Sequence, residues 1–204
     1  AALLASKGRD PEAIALLERD IEQHPRAIAD RRMLIRLEAM TGDLGAAERE
    51  AGQLAAHLPS NSPVPWLELG HALEIAHRFD DALALYDKAA SVAPRDPAGP
   101  RTGGLRAARW GQVELAAPRL EEALRRDAGD ATVWHALGLV RLQVGAFRGA
   151  KAAYESGLRA DPSALENRIG LATVARREKR PADAVEQYSR LLRERPGFAE
   201  GYLG

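Results

Sequence analysis

Trp66-Leu67-Glu68-Leu69-Gly70 returns as Trp134-His135-Ala136-Leu137-Gly138, and the two tryptophans lie twice 34 residues apart. The agreement continues downstream. Ala82, Tyr86, Ala89 and Pro94 follow the first copy at the spacing at which Ala150, Tyr154, Gly157 and Pro162 follow the second. Leu171, Ala172, Ala184, Tyr188, Leu191 and Pro196 form a third copy 34 residues on, and Gly104, Ala116, Leu120 and Ala123 fall in the same register between the first two. Backwards, Leu34, Gly42, Ala47, Leu54 and Pro59 fit after one inserted residue near Ser62, and Gly8, Ala13, Leu17 and Pro25 fit one unit earlier. A fixed period of this length is the signature of a repeat architecture. The units are 1–27 (partial), 28–61, 63–96, 97–130, 131–164 and 165–198, in a single array. Residues 199–204 open another unit, with Tyr202 in the tryptophan slot.

One unit shows the physics. Trp66, Leu69, Gly70 and Leu73 are spaced i, i+3, i+4, i+7, which is one face of a helix. Ala82, Leu85, Tyr86 and Ala89 make a second stripe, His77-Arg78-Phe79-Asp80 supplies a short turn between them, and Pro94 ends the second helix. Gly70 and Ala82 are small where the two helices cross. Asp10-Pro11 reads as an N-cap followed by proline at the first helical position. A lone helix pair of this size cannot bury its apolar face, so neighbours must stack. The unit 97–130 departs most: Pro100 takes the tryptophan slot, Gly103 and Gly104 sit inside the first helix, and Pro118 lies early in the second. Pro97 and Pro100 are expected to delay its first helix. Two readings follow, a compensated irregular repeat or a local weak point.

Trp66, Leu69, Gly70, Ala82, Tyr86, Ala89 and Pro94 resemble the tetratricopeptide repeat pattern, and the resemblance covers essentially the whole chain. It implies an all-α fold, a right-handed α-α superhelix (a solenoid of antiparallel helix pairs) whose first helices line a concave groove that binds a peptide or a partner's helix. Carried over position by position, the resemblance puts Arg32, Met33, Arg36 and Met40 in that groove, then Glu68, His71 and Glu74. Arg101, Leu105 and Arg109 come next, followed by His135, Leu139 and Leu142, and by Thr173, Arg176 and Arg177. Arginine's planar fork suits a carboxylate, so an acidic or C-terminal peptide anchored near Leu105, Leu139 and Leu142 is the sharper expectation. The plainer one is solvated arginine, some of it paired with Glu68 or Glu74. The clamp of chaperone-binding members requires Lys and Asn at fixed first-helix positions; here those positions read Arg32, Arg36 and Glu68. The asparagine ladder of the O-linked N-acetylglucosamine transferase repeats is also missing, since Asn61 and Asn167 are the only asparagines.

Composition narrows the chemistry. The 204 residues carry 29 Lys plus Arg against 29 Asp plus Glu, which argues against a globally basic nucleic-acid binder. Zero cysteines exclude disulfides, thiolate metal sites and a Cys nucleophile. Alanine, the best helix former, supplies 40 residues, whereas aromatics are 5%. No apolar run approaches the ~18–20 residues of a membrane span. His24, His57, His71, His77 and His135 contain no i, i+4 pair, and no nucleophile elbow or phosphate loop is present. No catalytic residue, cofactor or metal is therefore expected, and Trp66 and Trp134 are expected in the core. Arginine outnumbers lysine 25 to 4, which fits a GC-rich bacterial genome and a soluble cytoplasmic or periplasmic protein. The uncapped ends suggest a fragment of a longer repeat protein or an end-to-end homodimer. The expected function is a non-catalytic protein–protein interaction scaffold. The alternatives are a substrate-recruiting module of a glycosyltransferase or sulfotransferase, or a self-assembling part of an envelope complex.

Overall fold

The computed structural model describes residues 1–194, so Pro196 and the segment 199–204 with Tyr202 lie outside the described residues. Twelve helices and no strand occur among the described residues. A short α1 (Ala2–Ala5) precedes α2 (Asp10–Gln23). The pairs that follow are α3 (Ile28–Met40) with α4 (Leu44–Ala56), α5 (Val64–Ile75) with α6 (Phe79–Val92), and α7 (Ala98–Arg109) with α8 (Val113–Arg126). The last are α9 (Ala131–Gln143) with α10 (Phe147–Ala160), and α11 (Leu165–Arg177) with α12 (Pro181–Glu194). Helices recur in the repeat's register, and the chain divides into two compact units, Ala1–Gly103 and Gly104–Gly204.

The turn inside each pair has one recipe. Gly42, Gly111 and Gly145 adopt φ of 89°, 75° and 74°, and His77 and Lys179 occupy the same register position at 58°. The following amide then donates to the carbonyl five residues back, as from Asp43 to Glu38, Arg78 to Leu73 and Ala146 to Arg141. This is the closure of a Schellman-type C-cap, which needs a left-handed residue and satisfies the helix's last carbonyls. α2 begins one residue earlier than its sequence signal suggests: Asp10 is helical and Arg9 is the cap. Asp10 still contributes there, as a negative charge in the first turn.

In the first unit, Leu17, Ile21, Leu34 and Leu37 form one buried cluster, and Ile35, Leu54, Leu69 and Ala72 another. In the second, Tyr154 is fully buried against Ala150 and Val174. A Cβ on Gly138 or on Gly170 would collide with its ring, so the tyrosine packs where both first helices are bare. Gly70 plays the same part for Tyr86, with a Cβ placed 2.5 Å from the ring.

The unit 97–130 is regular where its sequence looked weak. α7 starts at Ala98, which puts Pro100 in the first turn, where its missing N–H leaves no helix bond unmade. A Cβ on Gly104 would lie 2.8 Å from Leu120, so this glycine permits close packing. α8 continues through Pro118. The expected delay of α7 does not occur.

The tryptophan slot also differs from expectation. Trp66 and Trp134 are half-buried and not in the core. Lys88 Nζ lies 3.4 Å above the Trp66 ring, and the Trp134 indole N–H donates to the Ala128 carbonyl at 2.9 Å. Arg31 and Arg168 occupy the same slot and donate likewise to the carbonyls of Pro25 at 3.0 Å and Pro162 at 3.2 Å. A long stem with a terminal N–H therefore substitutes for an indole.

Candidate partner-binding faces

In the first unit α3 and α5 pack side by side. Arg32 and Arg36 stand one turn apart on α3 and are each about half-exposed, with side chains 44% and 47% accessible. Both reach Glu68 on α5. Arg32 Nε donates to one carboxylate oxygen and Arg36 Nε to the other, each at 2.8 Å. Glu68 itself is 3% exposed. Its charge is thus a buried counter-ion, and the pair of guanidiniums retains a net charge of about one. Glu74 is also engaged, accepting the Tyr86 hydroxyl at 2.7 Å. His71 packs against the same ring with centroids 5.7 Å apart. Ala5, Ala29, Met33, Leu37 and Met40 line an open hollow beside the two arginines. Arg101 lies half-buried on α7.

In the second unit the corresponding face is less neutralised. Arg109 on α7 and Arg176 and Arg177 on α11 are exposed, with no carboxylate paired to them among the described residues. Leu139 on α9 is 43% exposed, and Leu142 packs partly against the Tyr154 cluster. Leu105 is half-buried on α7. Thr173 donates its hydroxyl to the Ile169 carbonyl at 2.9 Å, so that donor is already used.

His135 packs on Tyr154 at 5.8 Å between centroids, and burial holds its pKa below the usual histidine range. Its Nδ1 and the Tyr154 hydroxyl are buried without a hydrogen-bond partner. The register explains the hydroxyl: Leu142 stands where Glu74 stands for Tyr86. Burial pushes the Tyr154 phenol up to about 12. Asn167 is buried and donates to the Ala131 carbonyl at 3.0 Å, which makes it a packing residue. Sequence reasoning missed the roles of Arg31 and Arg168; their shared register with the two tryptophans was the available signal.

No group of three or more His, Cys, Asp or Glu side chains is arranged to hold a metal among the described residues. None of the described helices is long and apolar enough to cross a membrane.

Comparison with known proteins agrees with this geometry. The family described as Tetratricopeptide repeat matches residues 135–197. The co-chaperone of heat-shock protein cognate sgt12 from Aspergillus fumigatus is 30% identical over 150 residues, which are 69% of this chain and 44% of that protein. The chain thus spans under half the length of the curated relative it matches. Among solved structures, MamA from Desulfovibrio magneticus superposes with a TM-score of 0.62 at 22% identity, covering 82% of this chain and 96% of the other. YrrB, described as a TPR protein with an unusual peptide-binding site, superposes with a TM-score of 0.64 at 14% identity over 88% and 92% of the two chains. At these identities the likeness is one of fold. With the repeat register, the paired helices, the left-handed turns and the family match all in agreement, the chain belongs to the tetratricopeptide repeat family.

Proposed function

We propose that the chain is a non-catalytic scaffold whose first-helix faces bind an extended segment of a partner protein carrying carboxylates next to an apolar anchor. The observation that carries this reading is that Arg176 and Arg177 are exposed on α11 with no carboxylate paired to them among the described residues, while Leu139 is exposed on the adjacent α9. Guanidiniums without a paired carboxylate among the described residues can recognise a carboxylate in a bidentate way, and an exposed leucine on the neighbouring helix gains from burial. The hollow formed by Met33, Leu37 and Met40 beside Arg32 and Arg36 offers the same combination in the first unit, with weaker charge because Glu68 neutralises one guanidinium.

The co-chaperone relative supports a protein partner. The clamp chemistry is not part of the proposal, because Arg32 and Arg36 are tied to Glu68 and Asn167 is buried in packing. The test is direct binding of peptides that combine acidic and leucine residues, measured by fluorescence anisotropy. Reversing both charges (Arg176→Glu with Arg177→Glu) is expected to weaken binding by about tenfold or more at low salt. Unchanged affinity overturns the proposal for this face.

A further inference from the structure

The crevices on the side of second helices repeat with the units, and one of them is electrostatically incomplete. Around α2, α3 and α4, around α8, α9 and α10, and around α10, α11 and α12, the second helix of one repeat, the first helix of the next and that repeat's second helix line one crevice. The ninth residue of the leading helix is glutamate in three cases: Glu18 on α2, Glu121 on α8 and Glu155 on α10. Two of these carry a cation from the chain. Arg141 on α9 donates to Glu121 at 3.0 Å and to the Gly149 carbonyl at 3.2 Å, so a guanidinium bridges α8 and α10. Lys151 lies 3.8 Å from Glu155.

The crevice between α2, α3 and α4 has the opposite sign at the same place. Glu38 holds the register position of Arg141. It is 7% exposed, and its Oε2 is buried with no hydrogen-bond partner. The cavity, about 680 Å³, is lined by five carboxylates and one arginine, Arg49, which stands on its exposed rim. Of the five, Glu50 is satisfied by Arg31, and Asp43 caps α4 by accepting the Ala46 amide at 2.8 Å. Glu18 and Glu22 on α2 have no cation paired to them among the described residues. Ala46 occupies the register position of Gly149, so the carbonyl that receives Arg141 in the later crevice has a counterpart here.

We propose that this crevice is a binding site for a guanidinium group supplied from outside the chain, held between Glu18 and Glu38 as Arg141 is held between Glu121 and Gly149. The groups around it act together. Desolvation, reinforced by Glu50, Asp43 and Glu18, pushes the Glu38 carboxyl up to about 7, while Arg49 acts the other way. A bound cation reverses this by favouring the ionised carboxylate, so binding weakens as pH falls below about 7.

The experiment titrates the whole chain with three probes: a pentapeptide with a central arginine, the same peptide with neutral citrulline, and ethylguanidinium. Isothermal calorimetry is run at pH 8 and pH 6. Saturable binding of arginine peptide or ethylguanidinium, absent for citrulline and about tenfold weaker at pH 6, is the expected result. A tighter peptide identifies a partner's arginine as the source, and equal affinities identify a free small cation. Glu38→Ala places the residue found at Ala107 and Ala175, so it is compatible with the fold, and it is expected to weaken binding at least about tenfold. Glu38→Arg is expected to fill the site internally and abolish binding. Equal binding of citrulline and arginine peptides, no saturable binding of either cation, or unchanged affinity in Glu38→Ala overturns the proposal.

Discussion

Glu68 takes two guanidiniums out of general circulation, and without it the α3 face would present both Arg32 and Arg36 as open anion sites. Glu68→Gln should cost about 1–2 kcal/mol, because half-exposed arginines rehydrate and only part of a buried charge-assisted network is lost. Urea denaturation at neutral pH checks this, and a cost near zero would show that the pair of arginines does not depend on its counter-ion. Glu38 gives a prediction of opposite character. Its carboxyl rises from 4.5 to about 7 on folding, so the folded state prefers the proton. Stability relative to Glu38→Gln is therefore greatest below about pH 4.5, falls as pH rises to about 7, and is flat above, a span of about 3 kcal/mol. Parallel denaturation curves between pH 4.5 and 8 measure that difference directly. A difference that is constant with pH would show that Glu38 ionises normally. The pairing of arginine with Glu68 was one of the sequence expectations; the role of Glu38 was not legible, since a glutamate in the right register does not announce whether its partner lies across a helix pair or is missing.

The helix elements themselves were legible because one period fixes both stripes, and register constrains every unit once it constrains one. What sequence reasoning judged less well was the meaning of individual small and rigid residues. Gly104 lowers helix propensity, yet it makes room for Leu120; Pro100 looked like a helix breaker, yet it falls in a first turn. Local propensity loses to packing at such sites. His77 and Lys179 hold left-handed turn positions that glycine fills in the other turns. His77→Gly and Lys179→Gly are each expected to stabilise by roughly 0.5–1 kcal/mol, read as a higher denaturation midpoint. Gly138→Ala and Gly170→Ala should each destabilise by about 1–3 kcal/mol, because the Tyr154 ring occupies the space of the added methyl. A neutral alanine at either site would show that the ring can move aside.

At the scale of the molecule, the chain divides into two compact units between Gly103 and Gly104, inside the repeat with the most irregular sequence. Amides of α7 are accordingly expected to exchange faster than those of α9 in native-state hydrogen exchange, since opening begins at the margins of cooperative units. The binding face was legible only as a list of positions. The family resemblance put both Arg32 and Arg176 in the groove, but only the structure shows the first tied to Glu68 and the second without a paired carboxylate among the described residues. Partner binding through Arg176 and Arg177 with the exposed Leu139 of the neighbouring helix is measured by screening an array of acidic, leucine-containing peptides against the chain and against the Arg176→Glu, Arg177→Glu variant in parallel. A set of peptides is expected to bind the parent chain at low salt and to lose about tenfold or more affinity for the variant; a set bound equally well by both would contradict binding through these arginines.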